Sequence, residues 1–182
     1  MPRSFLALAL ALAVLFLPGG TAMAFTLESP AFADGAGIPV RYTCEGEDVS
    51  PPLRWSDPPA GTRAFALVVD DPDAPDPRAP RVVWVHWVLY DLPAEVRGLA
   101  EDADRRGLPP GTRRGRNDWG DPAWGGPCPP VGRHRYFFRL YALDAPLGDL
   151  GTPDRAALER AMEGHVLGEA VLMGTYAKKR SR

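Results

Sequence analysis

Short apolar runs separated by turn residues dominate the chain from residue 64 to residue 176. Most of these runs are rich in β-branched and aromatic residues and are bounded by Gly, Pro or Asp, which is typical of buried strands. The four predicted strands are Ala64–Val69, Val82–Tyr90, His134–Leu143 and Val166–Tyr176. Arg135 and Arg139, four residues apart in the third run, predict a strand with one partly solvated face.

One segment has the periodicity of an amphipathic helix instead. Its apolar face is formed by Ala157, Leu158, Ala161 and Met162. The predicted end signals are Thr152 as the cap, Pro153 at the first helical position, Asp154 beside the helix dipole and Gly164 as the stop. Many strands with one or two short helices predict a mainly-β fold, a sandwich or a barrel.

The composition narrows the classes of protein. A chain of 182 residues suits a single domain, and its 19 Gly and 21 Pro argue against a helical bundle, because helices tolerate few of these residues. A formal net charge of −2 gives no electrostatic basis for binding nucleic acid. Two cysteines are too few for a four-thiolate zinc site, and no cofactor is expected.

The first 24 residues have the order of a secretory signal peptide. Arg3 is followed by the 13-residue apolar run 5–17, then by helix breakers and a small-residue cleavage site that ends at Ala24. A membrane anchor is the weaker alternative, because 13 helical residues are shorter than a bilayer core of about 30 Å. We therefore expect a bacterial protein that is exported, periplasmic or secreted, with a single mature domain at 25–182.

The two cysteines, Cys44 and Cys128, are also relevant to the predicted export. An exported compartment is oxidising, so these two residues can be joined by a disulfide. Two separate buried thiols are the alternative that the sequence leaves open.

Residues 107–132 form an unusual connection, with seven Gly and six Pro in 26 positions. A loop of this length in a compact domain is usually either functional or disordered. Trp119 and Trp124 lie within it and favour burial, so an ordered loop is predicted. We expect this loop to pack against the β-structure and to form one wall of a pocket.

Candidate chemistry lies at the ends of the predicted strands. Asp71 and Asp73 follow the first strand, His86 lies within the second, and His134 opens the third. Carboxylates beside imidazoles can hold a metal, or the carboxylates can orient imidazoles that bind an anion. A tight turn with two hydrogen-bonded core histidines is the third interpretation, and the residue types alone favour it.

Two segments resemble the signature motifs of the phosphatidylethanolamine-binding protein (PEBP) family, also called Raf kinase inhibitor-like proteins. The first is Asp71-Pro72-Asp73-Ala74-Pro75 followed by Trp84-Val85-His86-Trp87, and the second is the segment from Gly126 to Tyr136. Shorter segments such as Asn117-Asp118-Trp119-Gly120 are similar to the bacterial branch. The resemblance covers nearly the whole mature chain.

The resemblance implies an antiparallel β-sandwich with one or two short helices and an anion pocket at one end. The matching pocket residues are Asp71, Asp73, His86, Gly126, Pro130, His134 and Tyr136. Both imidazoles, the phenol and the backbone amides near Gly126 are expected to donate hydrogen bonds to the anion. The two carboxylates are expected to orient the imidazoles or to meet an ammonium group of the ligand. The resemblance also implies a cis peptide bond between Ala74 and Pro75.

These observations predict a non-catalytic binding protein for a small anion such as phosphate or a phospholipid headgroup. One alternative is a secreted protein-interaction module, such as a protease inhibitor or a signalling modulator. The other is a metal-dependent hydrolase whose ligands are Asp71, Asp73, His86 and His134. If charged imidazoles bind the anion, binding should strengthen below about pH 6.5.

Overall fold

The computed structural model describes residues 24–179. Residues 1–23 of the predicted signal peptide lie outside the described residues, and so do residues 180–182. No helix between residues 24 and 179 combines the length and the hydrophobicity that crossing a membrane requires.

The described residues form eight strands, two α-helices and one short 3-10 turn. In chain order they are β1 (Thr26–Glu28), the 3-10 turn (Val40–Tyr42), β2 (Leu53–Ser56), β3 (Ala64–Asp71), β4 (Trp84–Pro93), β5 (Gly98–Leu99), α1 (Ala103–Arg106), β6 (Arg113–Arg114), β7 (His134–Leu143), α2 (Arg155–Met162) and β8 (Val166–Tyr176). The larger sheet has the order β6-β4-β3-β7-β8 and the smaller sheet the order β1-β2-β5. All of these pairings are antiparallel, so the predicted mainly-β sandwich is confirmed.

Strand β3 is buried along its whole length because both faces of the larger sheet are covered. On one face, Phe65 and Leu67 belong to the core that includes residues of the smaller sheet. On the other face, Ala66 packs in a second core with Leu158 and Met162 of α2. Burial on two faces explains why this strand is an unbroken apolar run rather than an alternating one.

Strand β7 alternates as its sequence predicts. His134 and Tyr136 are buried, whereas Arg135 lies on the exposed side and Arg139 is partly exposed. The start of β4 differs from the prediction, because the amide of Val82 donates to the carbonyl of Ala74 and the strand begins two residues later, at Trp84.

Helix α2 begins later than predicted. Its N-cap is Asp154, whose side chain accepts a hydrogen bond from the backbone N–H of Ala157 at 2.9 Å. Thr152 and Pro153 therefore precede the helix, and their predicted positions as cap and first helical residue are wrong. The carboxylate reaches the free N–H groups of the first turn and makes Asp154 the functional cap. Gly164 follows the helix end with φ of 81°, as expected of a stop signal.

Two covalent features lie at the end of the sandwich where β3, β4 and β7 meet. The peptide bond between Ala74 and Pro75 is cis, in agreement with the family resemblance. Cys44 and Cys128 are joined by a disulfide with a Cα–Cα distance of 5.4 Å. This bond ties the Gly- and Pro-rich loop to the segment that follows the 3-10 turn.

Candidate functional site

Antiparallel pairing brings the candidate residues to one end of the larger sheet. Asp71 ends β3 and pairs with Trp84 at the start of β4. On the other side of β3, Asp70 pairs with Phe137 near the start of β7. The end of one strand and the starts of its two neighbours therefore meet, which places a carboxylate turn beside residues that are distant in sequence.

A pocket of about 330 Å³ lies at this end of the sandwich. Its lining consists of Asp71, Ala74, Pro75, Val82, Trp84, His86, Trp119, Cys128, Pro129, Pro130 and Tyr136. The turn after β3, the start of β4 and the Gly- and Pro-rich loop each supply a wall. This volume is at the lower end of the range for small-molecule sites, and an apolar lining with a few polar groups is typical of them.

His86 presents an acceptor rather than a cation to this pocket. Its Nδ1–H donates to the carbonyl of Gly125 at 2.6 Å, so the neutral ring keeps an unprotonated Nε2. No hydrogen bond joins Nε2 to another group of residues 24–179. The side chain is 2% exposed, and this burial, reinforced by nearby His134, lowers the pKa of His86 to about 4.

Tyr136 provides the complementary donor. The residue is fully buried, and its hydroxyl has no hydrogen-bond partner among the described residues. Its ring meets the ring of His86 edge to face, with centroids 5.1 Å apart. Burial raises the pKa of Tyr136, and the charges of Asp71 and Asp73 act in the same direction. The hydroxyl therefore keeps its proton, and a buried donor without a partner is a costly arrangement that a ligand can complete.

Asp71 and His134 form a pair behind the pocket wall. One proton lies between Asp71 Oδ2 and His134 Nδ1, which are 2.7 Å apart, and His134 Nε2–H donates to the carbonyl of Val131 at 2.9 Å. Burial raises the pKa of Asp71. Asp71 lines the pocket, but His134 does not, and both of its ring nitrogens have partners. His134 is therefore not available as the predicted donor to a ligand, because it is committed to holding Asp71 and the loop.

Asp73 and Gly126 also lie outside the pocket. Arg135 binds both oxygens of Asp73 through its guanidinium and also donates its backbone N–H, and this contact lowers the pKa of Asp73. The N–H of Gly126 donates to Asp48 Oδ1 at 2.8 Å, so this amide is not free for an anion as predicted. A Cβ at Gly126 would lie 2.6 Å from the carbonyl oxygen of Tyr42, so the glycine serves close packing of the chain.

Of the seven predicted residues, the pocket lining thus includes four: Asp71, His86, Pro130 and Tyr136. Sequence reasoning missed Gly125, which fixes His86 and whose Cβ would lie 2.6 Å from Cζ3 of Trp119. The sequence signal that could have indicated Gly125 is the Gly125-Gly126 pair directly before Pro127.

Trp119 and Trp124 of the same loop have different environments. Trp124 is buried and stacks near Phe138, with ring centroids 6.0 Å apart, as predicted. Trp119 is 49% exposed, contrary to prediction, although its ring packs edge to face with the rings of Trp84 and His86. The loop is ordered and forms a pocket wall, as the sequence predicts.

The lining contains one carboxylate and no Arg or Lys. The described residues contain no group of three or more His, Cys, Asp or Glu side chains that could hold a metal ion. Asp73 is instead bound to Arg135, and His134 is bound to Asp71 and Val131. The four residues considered as ligands of a metal-dependent hydrolase therefore do not converge on one point.

The fold and the motif positions have a counterpart among known proteins. The sequence model of the family described as phosphatidylethanolamine-binding protein matches residues 28–177. The chain belongs to the PEBP family.

Relatives extend over almost the whole PEBP domain. A UPF0098 protein of Methanothermobacter thermautotrophicus is 50% identical over 154 residues, covering 84% of this chain and 98% of that protein. A PEBP homologue from Chlamydia trachomatis has a TM-score of 0.79 at 40% identity, covering 86% of this chain and 99% of that one. YbcL of E. coli, described as a member of the mammalian PEBP family, has a TM-score of 0.77 at 32% identity, with 85% and 99% covered. PEBP family membership supports a binding-protein fold.

Proposed function

We propose that this PEBP-family protein is a non-catalytic binding protein for a small ligand that carries a phosphate group, such as free phosphate or a phospholipid headgroup. One observation carries the proposal: the buried Tyr136 hydroxyl has no partner among the described residues, and the Tyr136 ring is in edge-to-face contact with the His86 ring at the same pocket. A tetrahedral oxyanion such as phosphate provides acceptors for the Tyr136 hydroxyl. When protonated, it also provides a donor for Nε2 of His86.

The size and the walls of the pocket support a short ligand. About 330 Å³ accommodates a phosphate group and a small attached organic group. Trp84, Trp119 and the Pro129–Pro130 segment supply apolar and aromatic surface for the attached group. The family name, which refers to a phospholipid with a phosphate-containing headgroup, agrees with this choice.

A binding role without catalysis is favoured by the state of the cysteine at the pocket. Cys128 lines the pocket but its sulfur is bonded to Cys44, so it carries no thiolate. The two alternatives, a protein-interaction module and a metal-dependent hydrolase, have no comparable support from the pocket residues.

We also propose that the protein is exported to the periplasm or secreted, with removal of residues 1–24. The disulfide between Cys44 and Cys128 supports this location, because such bonds persist in oxidising compartments. Mass spectrometry of the protein from fractionated bacterial cells should find Phe25 as the first residue. An intact N-terminus on protein from the cytoplasmic fraction would contradict export.

Calorimetric titration of the mature protein tests the binding function, with inorganic phosphate and phosphoethanolamine as separate ligands. We expect Tyr136→Phe to weaken binding about 10- to 100-fold, since a hydrogen bond to a charged group contributes about 1.5–3 kcal/mol. Its unfolding free energy should be unchanged or higher, because the lost hydroxyl has no partner among the described residues.

Tyr141→Phe is the matched control, because Tyr141 lies on the same strand but outside the pocket lining. It should bind both ligands like the wild type. If neither ligand binds the wild-type protein, the proposed function is wrong.

A further inference from the structure

We propose that the end of the sandwich around the pocket docks on the surface of an anionic lipid bilayer, with the pocket facing the lipid headgroups. This inference rests on the proposed function and chooses a headgroup within a membrane, rather than free phosphate, as the source of the ligand. The docking face has two parts, a basic groove beside the pocket and an exposed apolar rim around both cavities.

The basic groove follows from the pairing of β7 with β8. His134 at the start of β7 pairs with Tyr176 at the end of β8, so the segment that enters β7 and the segment that leaves β8 run side by side. The groove between them has a volume of about 660 Å³ and is lined by residues 129–133 and 177–179. The two prolines of the first segment also line the pocket, so the groove and the pocket are neighbours at one end of the larger sheet.

The charge of the groove is positive. Its lining contains Arg133, Lys178 and Lys179 and no Asp or Glu. None of these three side chains forms an ion pair with a carboxylate within residues 24–179. Glu45, which accepts the backbone N–H of Lys179 at 3.0 Å, offsets part of their charge. In a chain of formal net charge −2 the groove is therefore a local concentration of cations, and two further arginines follow Lys179 in the sequence.

The apolar rim lies around the same two cavities. Eight large apolar side chains of the described residues are exposed, and half of them belong to the rim: Val82, Val83, Trp119 and Val131. Val82 and Trp119 line the pocket, Val83 is the next residue of the chain, and Val131 lines the groove. Single exposed apolar side chains are ordinary on a protein surface, whereas a set gathered around a pocket indicates an interaction surface.

A bilayer surface fits both parts of the docking face. Tryptophan and other apolar side chains are favoured at the boundary between headgroups and acyl chains, and lysine and arginine are attracted to anionic headgroups. An acidic protein would use the cations but has no need of the apolar rim. A second copy of this chain, related by a two-fold axis, would bring two basic grooves together. A docked bilayer instead places the pocket against the headgroups that the proposed function takes as ligands.

Sedimentation with large vesicles tests the docking face. The mature protein should bind vesicles of phosphatidylethanolamine and phosphatidylglycerol, which are anionic. Vesicles of phosphatidylethanolamine and phosphatidylcholine carry no net charge, so the protein should bind them at least about tenfold more weakly. Binding to the anionic vesicles should weaken as the salt concentration is raised, because salt screens the charges of the groove and the lipids.

Two variants change the two parts of the docking face separately. Lys178→Glu/Lys179→Glu reverses two charges of the groove, and Val83→Asp places a charge in the rim. Each should lower the affinity for anionic vesicles at least about tenfold, since one basic residue near an anionic surface contributes a factor of about five. None of the three residues lines the pocket, so both variants should bind phosphoethanolamine like the wild type.

Each variant has a matched control. Arg63→Glu/Arg160→Glu makes the same change of charge at two exposed residues that line neither the pocket nor the groove. Val166→Asp matches Val83→Asp, because both valines are 44% exposed, but Val166 begins β8 and the groove lies at the other end of that strand. Both controls should keep most of the affinity for anionic vesicles.

Soluble phosphoethanolamine tests whether the docked headgroups reach the pocket. At saturation it should weaken the binding of the wild type to anionic vesicles, because the same pocket cannot hold both ligands. The same concentration should have little effect on Tyr136→Phe, whose pocket binds the headgroup poorly under the proposed function. An unchanged affinity of the wild type for vesicles would overturn the inference, because headgroups would then not enter the pocket.

Failure of this inference differs from failure of the proposed function. Phosphoethanolamine binding without vesicle binding, or an equal loss in variants and controls, would overturn the docking face and leave the proposed function intact. Binding to polyglutamate instead of vesicles would assign the groove to an acidic protein, and a dimer that Val83→Asp dissociates would assign the face to a second copy. Either result would overturn the bilayer as the partner. No binding of phosphoethanolamine to the wild type would refute the proposed function and, with it, the inference.

Discussion

At the scale of single residues, the pocket depends on which hydrogen-bonding groups the protein leaves without partners. His134 and Asp73 have strong partners and support the walls, whereas the Tyr136 hydroxyl is buried without a partner among the described residues and Nε2 of His86 makes no hydrogen bond to them. A donor buried without a partner reduces stability, and at a pocket a ligand can supply the missing acceptor. These unpaired atoms therefore indicate the ligand chemistry better than the number of ionisable residues does.

His86 also makes folding depend on pH. Its pKa is about 4 in the folded protein and about 6.5 in an unfolded chain, so the unfolded state binds the extra proton between these values. Stability should therefore fall as the pH is lowered from about 6.5 to about 4, by up to about 3 kcal/mol. Urea unfolding across this range measures the effect, and NMR titration of the imidazole measures the pKa directly.

The matched control for this prediction is His165→Asn, because His165 is half exposed at the surface. Its pH dependence should follow that of the wild type, whereas His86→Asn should lose most of the decline. An imidazole pKa near 6.5 for His86 in the folded protein would contradict the prediction.

At the scale of elements, the sequence and the structure differ in the residue that caps the N-terminus of α2: Thr152 was predicted, and Asp154 is observed. Asp154 accepts the N–H of Ala157 and also binds Arg116 at 3.0 Å. Asp154→Ala should lower the unfolding free energy by about 1 kcal/mol, whereas Thr152→Ala should change it by less than about 0.5 kcal/mol. Chemical denaturation of both variants checks this. A larger loss for Thr152→Ala would mean that Thr152 caps the helix after all.

The strands were predictable because the pattern of apolar residues along each strand reflects which of its faces are buried. The continuous run in β3 and the alternation in β7 each follow from how many faces of the sheet are covered. The cap was not, since Thr152 and Asp154 are both good capping residues and only the path of the chain selects one of them.

The sequence predicted several residues of the candidate site, but it did not predict which hydrogen bonds each of them makes. A motif places His86 and His134 at one end of the sheet, but it does not specify which ring nitrogens the protein itself uses. The choice of ring nitrogen depends on two loop carbonyls. The carbonyl of Gly125 is distant in sequence from His86 on β4, and the carbonyl of Val131 lies just before His134 on β7. The exposure of Trp119 similarly depends on how the loop passes the pocket.

At the scale of the whole molecule, the disulfide links the pocket to the stability of the fold. Cys44 and Cys128 are 84 residues apart in sequence, and Cys128 precedes the Pro129–Pro130 wall. A crosslink across a segment of this length restricts the unfolded chain, and its removal typically costs 2–4 kcal/mol.

The double variant Cys44→Ala/Cys128→Ala should therefore unfold at lower urea concentration than the wild type, by about 2–4 kcal/mol in free energy. It should also bind phosphate more weakly, because the loop that carries Pro129 and Pro130 is held less firmly against β4. Reductant should destabilise the wild type to a similar degree and leave the double variant unchanged, which separates loss of the crosslink from other effects of the substitutions. Two free thiols in the unfolded, unreduced protein, or equal stability of the variant and the wild type, would show that this bond does not contribute in solution.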